Sequence, residues 1–316
     1  MANLLKTLNG AVLFLISTAS IVVNVPLINF LLRNIAARED IVSMVMLSLV
    51  ASGLLCTLTT FACAIVNLCQ PTVVPYLVIF FFGNFAHLAI RITMWHLAAM
   101  SAMKCYIIVR PLSYPTMLTN RVRNVVIAAI WIAEVIVLFG ANLGGVRWVL
   151  DPYLYVTGSV GNPTANFGLR TFDIVVGFIA SGLIIIVSDV KILFVVRQHH
   201  RNVGNVNAGI FLDNQQGSVQ GWLASVRSAR SLFIMCVAYI LAYVPITVVN
   251  RSDTVVPLWY KVGVVWLVAL TPVANSLLYI ILYKSTRRDF VKMYFGRLVV
   301  HKESINTVST YLHHQA

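Results

Sequence analysis

Seven apolar runs decide what this chain can fold into. They cover about residues 10–32, 42–66, 73–103, 124–146, 172–196, 230–250 and 258–282. Each is long enough for a helix to cross a hydrocarbon layer, which takes about 20 mostly apolar residues. In that layer every backbone N–H and C=O must be satisfied within the segment, so helices are the expected form. Charged residues make up 10% of the 316 and apolar residues 59%. A soluble domain carries about 25% charged residues, and this chain has too few to cover a surface in water. The predicted fold is an all-α membrane protein, a bundle of seven transmembrane helices forming one domain in a lipid bilayer. The first run follows MANLLKTLNG and is read as a span. It is long for a signal core, and no small-residue cleavage site follows it.

Orientation follows from the basic residues. Of the 23 Lys and Arg, seventeen fall on one side of the spans, five on the other, and Arg91 lies inside one. The positive-inside rule then places the amino terminus outside and the carboxyl terminus in the cytoplasm, as in a multi-pass plasma-membrane protein. The net charge of +13 is thus a topology signal and does not imply a nucleic-acid partner. The polar stretch of about 198–228 reads as a loop between spans five and six. Asn250-Arg251-Ser252 is a glycosylation sequon on the outer side. It is either used or too close to the membrane to be used.

The segment 284–316 reads as a cytoplasmic helix and tail. Within it, Phe290 and Tyr294 are four apart with basic residues on the other faces, which suits a short amphipathic helix on the inner leaflet. Of the five cysteines, only Cys69 lies near an outer loop, and it has no evident partner there. No disulfide is expected. No metal-ligand spacing, carboxylate pair or Cys/His pair appears at a common depth, so neither a cofactor nor an enzyme is expected.

The motifs carry a resemblance. Span three ends in Lys104-Cys105-Tyr106, followed by Pro111, Leu112 and Tyr114. Span one carries Asn24 and span four Trp131. Span two reads Leu47-Ser48-Leu49-Val50-Ala51-Ser52-Gly53-Leu54-Leu55. Span six has Pro245 and Tyr243, and span seven ends in Asn275-Ser276-Leu277-Leu278-Tyr279. In order and spacing this resembles a rhodopsin-like G-protein-coupled receptor over nearly the whole chain, although no motif is intact. Around Lys104 to Arg121 it is also similar to the pattern of some fish odorant receptors, which likewise have Cys in the arginine slot. The resemblance implies a ligand-activated, chemosensory receptor. Its partners would be a small-molecule ligand and a heterotrimeric G protein, with monomer and dimer both open.

The departures from the pattern are specific. Gly53 stands where the family has its sodium-binding acid, Phe80 where it has the disulfide cysteine, and Ser181 where it has the span-five proline. Ala269 stands where opsins carry the retinal lysine, which disfavours light sensing.

An ionisable residue inside a span costs roughly 2.5–3.5 kcal/mol on insertion scales, so each one is a site hypothesis. Arg91 lies fourteen residues, about four turns, before Cys105. That is the level of the family's ligand pocket. His87 is one turn further out on the same face. By the motif alignment Asp173 is near the outer end of span five and Tyr243 is at the pocket floor. The expected small-molecule site is therefore His87, Arg91, Asp173 and Tyr243, with Arg91 offering its planar fork to a carboxylate. The alternative is that Arg91 pairs with Asp173 or Glu134 and holds the bundle together. His96 and Trp95 are read as packed between helices or facing lipid, and Asp189 and Lys191 as facing the cytoplasm.

At the other end, Lys104 and Cys105 cannot form the family's resting acid–arginine pair. Lys104, Cys105, Tyr106, Pro111, Leu112, Asn275, Ser276 and Tyr279 are the expected coupling and activation positions. Two outcomes stay open: altered G-protein coupling, or a receptor-shaped decoy, scaffold or partner subunit that does not couple.

Overall fold

The computed structural model describes residues 2–38, 41–70, 74–111, 113–150, 157–161, 163–205, 226, 232–245, 257–283, 286–294 and 296. The helices are α1 (Ala2–Arg38), α2 (Ile41–Cys69), α3 (Tyr76–Val109), the short α4 (Tyr114–Met117) and α5 (Asn120–Leu143). A hairpin of β1 (Val146–Leu150) and β2 (Thr157–Gly161) follows. Then come α6 (Pro163–Phe172), a π-helical stretch (Asp173–Ala180) and α7 (Ser181–Asn205), joined without a break. The last elements are α8 (Leu232–Pro245), α9 (Leu258–Leu282) and α10 (286–294). Among the described residues, six helices are long and apolar enough to cross a membrane, and α8 is a shorter apolar helix.

Local chemistry sets the ends. α3 starts behind Pro75 and α9 behind Pro257, where a proline's fixed φ suits the residue leading into a helix. α3 stops at Arg110, whose φ of −131° and ψ of 66° fit a residue pushed out of the helical region by the proline after it. α5 begins at an N-cap: the Oγ1 of Thr119 accepts from the Val122 N–H at 3.3 Å. Gly145, at φ 92°, takes the left-handed conformation that turns α5 into β1.

The bundle buries polar groups within its apolar core and is apolar outside. Asn24, Ser52, His96, Ser101 and Ser276 are almost fully buried, whereas Leu15, Ile136, Phe139 and Phe194 are exposed. Water would drive the opposite arrangement. Lipid allows this one, because polar groups gain by pairing between helices. α1 packs on α2 and α9, and α3 is central, touching α2, α5 and α7.

α10 lies against α1. The Phe290 ring meets Phe30 edge-on with centroids 5.5 Å apart. The Tyr294 hydroxyl donates to the Pro26 carbonyl at 2.9 Å and accepts from the Asn29 side chain at 3.1 Å. Tyr294→Phe removes both bonds. Its expected result is a docking loss of about 1 kcal/mol, read as a roughly fivefold faster amide exchange in 286–294 with α2 unchanged.

Three features differ from the sequence reading. α1 extends back to Ala2, beyond the apolar run of about 10–32, and in that extension Asn9 donates to Asn67 at 3.4 Å and accepts from the Trp266 indole at 2.9 Å. The hairpin was not expected, since two five-residue strands leave little periodic signal. Lys191 is exposed, but Asp189 is only 7% exposed, so it does not face the cytoplasm as expected. Residues two apart on a helix point in different directions, and the two could not share one face. Leu112, Asn250 and 297–316 lie outside the described residues, as does most of 198–228.

Candidate functional site

The hairpin end of the bundle holds a buried charge pair. Arg91 on α3 reaches Glu134 on α5 through its Nε and the Glu134 Oε2, and the two are 5% and 4% exposed. The guanidinium also stands 4.8 Å from the centroid of the Phe172 ring, a cation–π distance. Of the two partners weighed for Arg91, Glu134 is met among the described side chains. The Asp173 side chain is outside the described residues, although its backbone opens the π-helical stretch.

His87 lies one turn from Arg91 toward the hairpin, and its ring is 5.5 Å from that of Trp148 on β1. Trp148 is buried with Leu88, Ile92 and Leu138. It sits against Gly83, where a Cβ would come within 2.4–2.6 Å of three ring carbons. The Asn142 side chain donates to Asn84 at 2.7 Å, tying the end of α5 to α3 beside the strand. Trp148 and Gly83 were not singled out in the sequence. The signal was the short alternation Val146-Arg147-Trp148-Val149 after a Gly-Gly pair.

Tyr243 belongs to a different group. It stacks on Tyr239 with centroids 4.3 Å apart, and the Tyr239 hydroxyl donates to the Ile90 carbonyl at 2.8 Å. Both rings line a cavity with Gly53, Thr93, Thr271 and Asn275. It gives the centre of a water molecule about 10 Å³, room for about one. The missing side chain at Gly53 helps to open it; a Cβ there would be 3.4 Å from the Pro272 Cβ.

The residues that carried the resemblance form the joints around this cavity. Ser276 hydrogen-bonds Asn24, which donates to Ser20 at 2.8 Å. Ser20 is 2.7 Å from the Thr57 hydroxyl. These bonds join α9, α1 and α2. Ser52 and Thr93 link α2 to α3 at 3.0 Å. The Trp131 indole donates to Ser48 at 2.9 Å and links α5 to α2.

At the opposite end Lys104, Cys105 and Tyr106 are half-buried and Pro111 is exposed; Asn275 and Ser276, at the cavity, are buried, as is Tyr279. Asp189 on α7 is buried, at 7% exposure. It is a further ionisable group on the inner face of the bundle.

This arrangement is that of a seven-helix membrane receptor: polar joints around a central cavity, a charged pair at one end, and a docked helix at the other. The family model described as "7 transmembrane receptor (rhodopsin family)" matches residues 23–279. The chain belongs to this family, whose members are G-protein-coupled receptors and not enzymes. Among solved structures it is similar to squid rhodopsin, at a TM-score of 0.83 and 15% identity, over 94% of this chain and 87% of that one. A search of curated proteins found no match.

Proposed function

We propose that this receptor is chemosensory, binds a small carboxylate in the outer half of the bundle, and couples to a heterotrimeric G protein at the plasma membrane. The amino terminus is extracellular. The observation that carries the reading is Arg91, a cation deep in a span and on the side of the bundle where the hairpin sits. Glu134 serves as its counter-ion, and a ligand carboxylate replaces Glu134 on part of the guanidinium fork. His87 is one turn outward, Asp173 flanks Phe172 in sequence, and Tyr243 reports to the cavity below.

A second reading is favoured by Lys104 and Cys105, which remove the cationic side chain that the family presents to its G protein. On that reading the fold is kept and the coupling is lost.

One experiment separates the two. G-protein activation is measured in membranes with a panel of small carboxylates and amines. The wild type is compared with Arg91→Met/Glu134→Leu and with Lys104→Asp/Cys105→Arg. Carboxylate-dependent turnover in the wild type, reduced at least tenfold in the Arg91 double variant, supports the receptor reading. Turnover in the Lys104/Cys105 variant alone supports the uncoupled one. Turnover that responds only to amines overturns the role given to Arg91.

A further inference from the structure

We propose that the cavity beside Gly53 is a neutral hydration site: Asn275 holds a single water in it, and the bundle does not bind or respond to sodium there. The acid that the family has at the Gly53 position would bring a sodium ion to this place. The residues present do not fit one.

The first reason is charge. The walls of the cavity come from α2, α3, α8 and α9. The chain has ten Asp and Glu, and none of them lies in these four helices. No rotamer and no small turn of a helix can therefore bring a carboxylate to the cavity. A cation there would meet only hydroxyl, amide and carbonyl dipoles, and a buried charge without a partner is costly.

The second reason is size. The cavity gives the centre of a water about 10 Å³, the room that one water needs. The third is an amide with nothing to bond. Asn275 lines the cavity and is 6% exposed, and among the described residues no group hydrogen-bonds its side chain. A carboxamide is donor and acceptor at once, and leaving it buried and unpaired forfeits its hydration. Water answers both halves. The walls offer more acceptors. The Thr93 hydroxyl donates to the Ala89 carbonyl and the Tyr239 hydroxyl to the Ile90 carbonyl, each at 2.8 Å, so both oxygens keep lone pairs for a water proton. A buried water needs two to four polar partners, and these groups supply them.

The inference needs neither the ligand nor the G protein, and its test uses neither. A Cβ on Gly53 would lie 3.4 Å from the Pro272 Cβ, an ordinary contact. The methyl group of Gly53→Ala thus fits, and it takes the place of the water.

Two measurements are made on the full chain in nanodiscs. Infrared difference spectra between ordinary and heavy-oxygen water read the O–H stretch of buried water in the wild type and in Gly53→Ala. Thermal unfolding of the wild type compares sodium with N-methylglucamine at matched ionic strength. The expected results are a water band in the wild type that is lost in Gly53→Ala, and a melting temperature that is the same in the two salts. A melting temperature that rises with sodium alone and saturates would mean that the cavity takes the cation, and the proposal fails. A water band left unchanged in Gly53→Ala would mean that no water sits beside Gly53, and it fails likewise. The sodium comparison uses the wild type only, so it stands even where Gly53→Ala does not fold.

Discussion

Glu134→Gln is expected to lower the stability of the folded bundle by about 3–5 kcal/mol, the range for removing one partner of a buried ion pair. The loss comes from what is left behind. Arg91 keeps its fork of donors, and at 5% exposure it has little water to turn to. Contact with the Phe172 ring recovers only about 0.5–2 kcal/mol of that. Arg91→Ala strands Glu134 instead, and a loss is expected there too. Removing both charges with residues of similar volume, Arg91→Met/Glu134→Leu, is expected to bring stability back to within about 1 kcal/mol of the wild type or above it.

Thermal unfolding in nanodiscs compares these four proteins, and adding Arg91→Met and Glu134→Leu singly closes a double-mutant cycle. If Glu134→Gln alone melts with the wild type, the two side chains are not coupled and Arg91 is held by something else. The double variant also matters for function. It removes the fork while keeping the fold, so a lost ligand response in it reflects binding rather than collapse.

What the sequence could and could not show divides along physical lines. Span positions came from hydropathy, a sum over some twenty residues that a few exceptions do not disturb. All seven runs contain a helix in the structure. Motif residues such as Asn24, Trp131 and Ser276 were visible because they recur at fixed places, and each is a joint between helices.

Pair geometry was not visible in the same way. Whether Arg91 meets Glu134 or Asp173 depends on the rotation of two helices, and one residue of error turns a side chain by about 100°. Asp189 was misplaced by that kind of error. Trp148 is a harder case. Its partner Gly83 lies 65 positions earlier, has no side chain to suggest a contact, and touches the ring only because a hairpin folds back. No local period records that.

Gly83→Ala is the second large effect, and two terms compete for its sign. Alanine in a helix interior is favoured over glycine by about 1 kcal/mol. Against this, the new methyl group would sit 2.4 Å from Trp148 Cδ2 and 2.6 Å from Cγ and Cε3. Cγ is next to the backbone end of the side chain, so no rotation of a flexible tip relieves the contact. The indole must leave its seat or β1 must move, at a cost of roughly 1–3 kcal/mol for overpacking plus the apolar area exposed. The clash wins, and a net loss of about 1–2 kcal/mol is expected. The loss should be conditional on the ring. In a Trp148→Leu background the methyl group has space, so Gly83→Ala should be neutral or stabilising there, with a coupling energy of about 1–3 kcal/mol between the sites. Thermal unfolding of the single and double variants in nanodiscs gives that number. Effects that simply add, within about 0.3–0.5 kcal/mol, would mean that Trp148 does not rest on Gly83 and that the hairpin is held to α3 by other contacts.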